Sequence, residues 1–343
     1  MTKSILDVVR LNKSFDVKSR KKLWAKPTRV QVLNDITFQL FEGETLSIVG
    51  ESGCGKTTLG RCIVRGMSAS SGEVNYYASE GERIDYLKLK GQDAKKYRKD
   101  IQMIFQDPYS SLSPRMSVYD IIAEPLIANF KLRKSEIDDK VTEIASQTGL
   151  NVSYLQRYPH AFSGGQRQRI AIARALIMQP RLIVCDEAVS ALDVSIQAQI
   201  INLLKDLQEQ YQITYIFISH DLSIVQNISD RVAVMHLGRI VELASTESMF
   251  SQPKHPYTEA LMSAVPQPDP ERKKDRIILE GEVPNPANPP SGCHFHPRCA
   301  YRTDKCVQQV PELREVGDGH FAACHYAEEL NLRGVRHEEA KQA

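Results

Sequence analysis

The sequence predicts an α/β fold, and three of its features lead to this prediction. Short apolar stretches typical of buried strands alternate with helical stretches along residues 1–250. Several of these strands end directly in polar or charged residues, and one, at 45–49, runs into a glycine-rich turn and a helix start. Because strand ends meet at the ligand crevice of a doubly wound sheet, we expect functional residues at those ends.

The glycine-rich turn has the spacing G-x-x-x-x-G-K-[ST], with Gly50, Gly55, Lys56 and Thr57 in the fixed places. Glycines let the backbone wrap closely around a polyphosphate, and the N–H groups of the helix start attract the anion. Lys56 would reach the β- and γ-phosphates, and the Thr57 hydroxyl would bind Mg²⁺. The pattern predicts a nucleoside triphosphate site formed by Ser52, Gly53, Cys54, Gly55, Lys56, Thr57 and Thr58.

Length and composition limit the classes of protein. The chain has 343 residues, of which 42% are apolar and 25% charged, as expected for one large or two modest domains. Its formal net charge of +2 gives no electrostatic argument for nucleic-acid binding. The N-terminus lacks a signal-peptide core, and no apolar run approaches the ~18 residues that span a bilayer. We therefore expect a cytoplasmic protein whose membrane role, if it has one, comes through a partner.

Polar residues follow three other predicted strands. Gln106 follows the strand at 101–105, where an amide can ligate a metal or a water, although most such glutamines are simply solvated. Asp186 and Glu187 end the strand that starts at 182. An aspartate there can hold Mg²⁺ through its water shell, and the following glutamate can orient or deprotonate a water. His220 follows the strand at 215–218.

A second helix start also has the character of an anion site. Ser163 is a good N-cap, and Gly164 and Gly165 expose backbone N–H groups before Gln166. Two glycines are more than a cap needs, because glycine costs helix stability. Phe15, on a strand-like segment, could stack on a purine base, although by itself such an aromatic residue is more often core.

The remaining chain is predicted more coarsely. We expect strands at 5–11, 31–33 and 36–41, a hairpin region at 73–89, helices at 118–127, 134–148 and 165–178, and a hairpin at 232–242. Residues 18–26 form a basic loop, which we interpret as a solvated insertion. Contact with anionic lipid headgroups is the less favoured alternative. Prolines cluster beyond residue 250 and predict a linker or a small appended module.

Taken in chain order, the motifs of this sequence resemble those of the ATP-binding subunits of ABC transporters, and the resemblance covers about residues 5–250. They are Walker A at 50–58, the Q-loop Gln106, the signature at 162–166, Walker B at 182–187, the D-loop at 190–193 and the switch histidine His220. Ala188 departs from the family, which usually has proline there. The segments 255–257, 283–293 and 297–299 resemble the C-terminal region of dipeptide and oligopeptide importer ATPases, most closely the second ATPase subunit of bacterial permeases.

The resemblance implies a fold and a mechanism. The fold would be a P-loop NTPase of ABC type, with a mixed sheet, an antiparallel β subdomain and a helical subdomain at about 107–178. A nucleotide-binding domain would cover 1–255 and an extension 256–343. ATP would lie between one Walker A loop and the partner's Ser163–Gln166. Glu187 would polarise the attacking water, His220 would contact the γ-phosphate, Phe15 would stack on adenine, and Mg²⁺ would meet Thr57, Gln106 and Asp186.

The implied partners are a second, homologous ATPase subunit, two transmembrane permease subunits and an extracytoplasmic peptide-binding protein, with no nucleic acid. The chain would sit peripherally on the cytoplasmic face of the inner membrane, and residues 106–125 would face the permease. Nickel or another small solute remains an alternative cargo. A soluble ABC ATPase acting on nucleic acid or ribosomes, or a subunit that does not hydrolyse ATP, are alternative functions.

Four cysteines crowd the tail: Cys293, Cys299, Cys306 and Cys324. Without a C-x-x-C pair they fit a zinc ribbon poorly, and a reducing cytoplasm disfavours disulfides. Four thiolates suit a [4Fe–4S] cluster or zinc, and nearby histidines keep a mixed zinc site open. Some members of the resembled family carry such a cluster, so we favour [4Fe–4S] over zinc and over free buried thiols.

Overall fold

A computed structural model describes residues 3–17, 28–78, 81–265, 277–279, 281 and 284–335. The basic loop at 18–26 and the first residue of the 283–293 segment lie outside the described residues. The chain divides into a first unit, residues 1–3, 41–44 and 88–218, and a second unit, residues 4–40, 45–87 and 219–343. The domain division expected near residue 255 stays a prediction.

The strands of the described residues follow the apolar stretches of the sequence. In chain order they are β1 Ser4–Val17, β2 Thr28–Phe41, β3 Thr45–Val49, β4 Ser71–Tyr77, β5 Arg83–Asp85, β6 Ile101–Ile104, β7 Leu182–Asp186, β8 Thr214–Ile218, β9 Arg231–His236, β10 Arg239–Ser245, β11 Arg314–Gly317 and β12 His320–Ala322. All residues of β3, β7 and β8 are buried. Burial on both faces explains why these strands are continuous apolar runs rather than alternating ones.

The helices of the same residues are α1 Lys56–Ile63, α2 Gly91–Arg98, α3 Pro108–Ser111, α4 Val118–Asn129, α5 Lys134–Gln147, α6 Gly164–Leu176, α7 Val194–Tyr211, α8 Leu222–Ile228, α9 Thr246–Ser251, α10 Pro256–Ser263 and α11 Asp304–Gln308. The three predicted helices correspond to α4, α5 and α6. A capping box begins α4 and α6, whereas α5 begins with the Glu136 carboxylate accepting from the Arg133 N–H at 2.7 Å. None of the described helices is both long and apolar enough to cross a bilayer.

The prediction of two separate strands at 31–33 and 36–41 was wrong. The chain forms one strand, β2, which passes through Asp35 in a left-handed conformation with φ of 56°. The Asp35 N–H donates to the side-chain oxygen of Asn12 at 3.0 Å, which stabilises that local kink. Aspartate tolerates this conformation better than most residues, so the residue between the two predicted strands is accommodated within a single strand.

The second unit contains two sheets. Strands β2, β1, β4 and β5 form one of them in that order, with β4 antiparallel to β1 and to β5. In the other, β11, β12, β10, β9 and β3 are neighbours in that order, with β3 parallel to β9 and β10 antiparallel to it. The predicted hairpin at 232–242 is confirmed as β9 and β10.

The first unit contains the parallel strands β8, β7 and β6, in that order, together with helices α3 to α6, which pack on one another. The parallel strands of this unit, and the parallel and antiparallel pairs of the second unit, are the strand pairings that a mixed sheet of the predicted fold class contains. The second unit also contains the predicted antiparallel β sheet and the first unit the predicted helical group, so the α/β class and its three predicted parts are confirmed.

The tail is a folded module rather than a linker. Strand β12 adds to β10, with Ala322 opposite Glu242. Glu242 is fully buried and accepts hydrogen bonds from the N–H groups of Lys254 and His255 at 2.7 and 2.9 Å. The ring nitrogen Nε2 of His320 lies 2.7 Å from the same carboxylate. A buried carboxylate with three partners fixes the extension to β10.

Candidate nucleotide site

The phosphate loop runs from the end of β3 to the start of α1, and its backbone is closely packed at Gly50 and Gly55. Gly50 has a φ of 150°, and a Cβ added there would lie 2.2 Å from the carbonyl oxygen of Met235. Gly55 has a φ of 109°, and its Cβ would lie 2.8 Å from the carbonyl oxygen of Val32. Both positions need glycine for conformation and for space.

Lys56 is folded against the loop that precedes it. Its side chain is almost fully buried, and Nζ donates to the carbonyl oxygens of Gly50 and Glu51 at 2.7 and 3.0 Å. No side chain caps the N-terminus of α1 at Gly55. A helix start without a side-chain cap, beside a lysine, has the elements of a polyphosphate site.

The other loop residues vary in exposure. Ser52 and Gly53 are exposed, Cys54 is buried, and Thr57 and Thr58 are half-buried. Burial raises the pKa of the Cys54 thiol, although the nearby Lys56 charge opposes this shift. The thiol therefore remains protonated at neutral pH and is a packing group rather than a nucleophile.

Phe15 and His220 also belong to the second unit. Phe15 lies near the end of β1 with 38% of its surface exposed, and the Lys13 ammonium lies 4.8 Å from the ring centroid. His220 is exposed and follows β8 by two residues. Asp221, next to it, caps α8 by accepting from the Ser223 N–H at 2.9 Å.

In the first unit, the structure brings Gln106 and Glu187 together. The Gln106 amide donates to a carboxylate oxygen of Glu187 at 2.7 Å, across 81 residues of sequence. Glu187 has a φ of 47°, a strained conformation for this residue type, while Asp186 before it is buried at the end of β7. A carboxylate oriented in this way can accept a proton from water.

The signature segment begins α6 with the predicted N-cap. The Ser163 hydroxyl accepts from the Gln166 N–H, and the Gln166 side chain accepts from the Ser163 N–H at 3.0 Å. A Cβ on Gly165 would lie 2.5 Å from Cγ2 of Ile196 on α7. The second glycine thus has a packing role that the sequence analysis missed. No local pattern in the sequence indicates this contact, because it joins two different helices.

The four tail cysteines lie around one pocket of the second unit. Its other lining residues are His255, Pro256, Phe295, His296, Tyr301, His325, Tyr326 and Leu330. As placed, no group of three or more histidine, cysteine or acidic side chains within the described residues has the arrangement of a metal site. The cysteines are neighbours, but their sulfur atoms are not gathered around one point.

Backbone N–H groups lie close to three of these sulfur atoms. Those of Phe295 and His296 lie at Cys293, and those of Tyr301 and Tyr326 lie at Cys299 and Cys324, where each lowers the thiol pKa. The larger effect is burial, which raises the pKa of Cys299 to about 12 and that of Cys324 to about 11. As free thiols they are protonated at neutral pH, and a bound metal would have to replace those protons.

Sequence reasoning also missed a contact to the phosphate loop from the extension. Both guanidinium Nη atoms of Arg298 donate to the Glu51 carboxylate, at 2.8 and 2.9 Å. The two residues lie 247 positions apart. Glu51 lies in the Walker A motif at 50–58 and Arg298 in the segment 297–299. Both motifs are recognisable in the sequence, but only the structure shows that they are in contact.

The parallel strands with polar ends, the glycine-dependent phosphate loop and the capped signature helix define an ATPase of the ABC class. Residues 33–190 match the family model described as ABC transporter, and residues 241–306 match the one described as oligopeptide/dipeptide transporter, C-terminal region. The chain belongs to the ABC transporter ATP-binding proteins of oligopeptide and dipeptide transport.

Individual relatives agree with this assignment. The chain is 50% identical to the oligopeptide transport ATP-binding protein OppF of Haemophilus influenzae, over 93% of this chain and 96% of that one. It is 48% identical to the dipeptide transport ATP-binding protein DppF of the same organism, over 94% and 96%. Among solved structures, the dimeric ATP-binding cassette MJ0796, bound to ADP and phosphate, superposes with a TM-score of 0.59. That structure is 25% identical and covers 71% of this chain and 99% of its own.

The close approach at Gly50 makes a prediction about stability. Gly50→Ala should lower the free energy of unfolding by about 2–3 kcal/mol, because backbone or Met235 must shift to admit the methyl group. Gly43→Ala is the matched control, since Gly43 also has a positive φ, of 78°, but open space around it, and should cost only about 1 kcal/mol. Chemical denaturation measures both, and equal costs would contradict the packing argument.

Proposed function

We propose that this chain hydrolyses ATP to power a membrane ABC importer of dipeptides or oligopeptides. The observation that carries the proposal is the presence, in one chain, of a glycine-dependent phosphate loop and a C-terminal region matching that of oligopeptide and dipeptide transporters. The names of the two Haemophilus influenzae relatives, one for oligopeptides and one for dipeptides, support this class of cargo.

ATP binding is assigned to the phosphate loop. The backbone of 52–55 and the start of α1 would surround the phosphates, and Lys56 would exchange its two carbonyl partners for phosphate oxygens. Phe15 would stack on the adenine. The hydroxyl, amide and carboxylate oxygens of Thr57, Gln106 and Asp186 are the hard donors that Mg²⁺ prefers, with Asp186 acting through water. When bound, the metal would neutralise phosphate charge.

Hydrolysis is assigned to Glu187, which would orient a water and accept its proton. Its hydrogen bond to Gln106 supports this role, because the amide holds the carboxylate in a defined position. His220 would contact the γ-phosphate.

A dimer would complete the site, with Ser163, Gly164, Gly165 and Gln166 of one subunit against the ATP of the other. The dimeric state of MJ0796 supports this arrangement. Val194, which directly follows the D-loop, has 80% of its surface exposed and is therefore accessible to a partner. We propose a second, homologous ATPase as the partner, which makes the pair a heterodimer.

The remaining partners would be two transmembrane permease subunits and an extracytoplasmic peptide-binding protein. The chain would lie on the cytoplasmic face of the inner membrane, held there by the permease. Residues 106–125 would form the contact, and the 65% exposure of Tyr109 within this stretch supports it. We assign nucleotide binding to residues 1–255 and a separate extension to 256–343.

The transport proposal predicts the outcome of an uptake experiment. Cells lacking this chain should lose uptake of a labelled dipeptide or pentapeptide and regain it with the wild-type chain. Glu187→Gln should not restore it, because removing the general base slows ATP turnover by about 10²–10⁴-fold. Glu209→Gln, an exposed change on α7, should restore uptake fully. Uptake of labelled nickel is measured in the same strains.

Loss of nickel uptake alone would replace peptide with nickel as the cargo. Unchanged uptake of all three solutes would contradict the importer proposal. Restoration by Glu187→Gln at the wild-type level would contradict the role assigned to Glu187.

We further propose that the tail cysteines hold a [4Fe–4S] cluster. The four thiols share one pocket, and N–H groups at three of the sulfur atoms favour their anionic form. Cys293, Cys299, Cys306 and Cys324 would be the ligands after their side chains turn toward each other. A bound cluster would cross-link the segment 293–299 to residues 306 and 324.

Metal analysis tests this assignment. Anaerobically purified protein should contain about four irons and four sulfides per chain. Cys306→Ser should remove most of the iron, whereas Cys62→Ser should not, because Cys62 is buried in α1 and outside the pocket. Stoichiometric zinc without iron, or no metal at all, would contradict the cluster.

A further inference from the structure

The phosphate loop is held from the C-terminal extension by two side chains. The Tyr257 hydroxyl accepts a hydrogen bond from the Glu51 N–H at 2.8 Å. Arg298 donates to both carboxylate oxygens of Glu51, at 2.8 and 2.9 Å. The backbone and the side chain of one loop residue are therefore bound by two separate parts of the extension, both within the second unit.

Tyr257 is a rigid anchor. It lies in the first turn of α10, is fully buried, and its N–H donates to Nδ1 of His255 at 3.0 Å. Its ring centroid lies 4.5 Å from that of His236 and 5.3 Å from that of Phe295. Burial raises the pKa of the phenol, so the hydroxyl stays neutral. A packed aromatic ring fixes where the Glu51 N–H must be.

Arg298 is a second anchor with a defined direction. It ends the short 3₁₀ turn His296–Arg298, and its N–H donates to the carbonyl oxygen of Phe295 at 3.0 Å. Only 7% of its side chain is exposed, against 23% for that of Glu51. A bidentate, mostly buried pair of this kind restricts both distance and orientation.

The charge of Glu51 gives this pair a consequence for ligand binding. Glu51 directly follows Gly50, and the carbonyl oxygens of these two residues accept the bonds from Lys56. An uncompensated carboxylate in the loop would repel a triphosphate and would compete for the Lys56 charge. Arg298 neutralises that carboxylate and leaves Lys56 for the phosphates.

We propose that Arg298 and Tyr257 are positioning residues through which the C-terminal extension sets the nucleotide affinity of the phosphate loop. Tyr257 fixes the loop backbone, and Arg298 cancels the Glu51 charge. The proposal rests on the ATP site proposed above. It gives the extension a part in nucleotide binding, independent of what the cysteine pocket holds.

The test is equilibrium binding of a nonhydrolysable ATP analogue with Mg²⁺ to the full-length chain, by calorimetry. Arg298→Ala should weaken binding about tenfold, equivalent to about 1.4 kcal/mol, and binding should become more sensitive to salt. Tyr257→Phe should weaken it by a smaller factor, because only the acceptor of one N–H is lost. Arg314→Ala is the matched control, since Arg314 forms an exposed bidentate pair with Glu328 in the same extension. Its affinity should equal that of the wild type.

Removing the charge of Glu51 in a second variant distinguishes a positioning role of Arg298 from general damage to the fold. Adding Glu51→Gln to Arg298→Ala should recover most of the lost affinity, since the uncovered charge is gone. A merely structural role would leave the double variant as weak as the single one or weaker, and that result would overturn the proposal. If Arg298→Ala does not fold by circular dichroism, Arg298→Lys takes its place, with a smaller loss and the same recovery.

The outcomes distinguish this inference from the function on which it rests. Wild-type protein that fails to bind the analogue would overturn the ATP site and this proposal together. Wild-type protein that binds, with Arg298→Ala and Tyr257→Phe binding equally well, would overturn this proposal alone.

Discussion

Close packing around the phosphate loop is the constraint on which the rest of the account depends. The missing Cβ of Gly50 leaves room for the Met235 carbonyl at the end of β9, and that of Gly55 leaves room for Val32 on β2. The loop can follow its path only because two strands distant in sequence pass at that distance. Lys56 then lies against the loop carbonyls, where phosphate oxygens can replace them as its partners.

The C-terminal extension is also part of the packing around the phosphate loop. Strand β12 pairs with β10, and the buried Glu242 joins this pairing to the segment that starts α10. That helix carries Tyr257 to the phosphate loop, and the turn before Cys299 carries Arg298 to it. The turn that contacts the loop is therefore the one bordered by the cysteines Cys293 and Cys299. A chain of buried contacts thus leads from the cysteine pocket to the loop.

Much of the fold could be predicted from sequence because its signals are local. Buried strands are apolar runs, Ser163 with Gln166 is a capping box, and the glycine spacing at 50–55 marks the loop. Contacts between distant segments could not be predicted in this way. The hydrogen bond from Gln106 to Glu187, the packing of Gly165 on Ile196 and the pair of Arg298 with Glu51 join residues between 31 and 247 positions apart. No local propensity specifies such pairs, and the hydrogen bond from Asp35 to Asn12, which keeps β2 continuous, is another contact of this kind.

The most direct test of the central claim is equilibrium binding of MgATP to Lys56→Ala, compared with the wild type and with Lys131→Ala. Lys131 is exposed and serves as the control for loss of a positive charge. The account predicts that Lys56→Ala loses at least about hundredfold in affinity while it still unfolds in one cooperative transition, since Lys56 supplies the charge-assisted bonds to the phosphates. Lys131→Ala should bind as the wild type does. Wild-type affinity in Lys56→Ala would contradict the placement of the triphosphate on this loop.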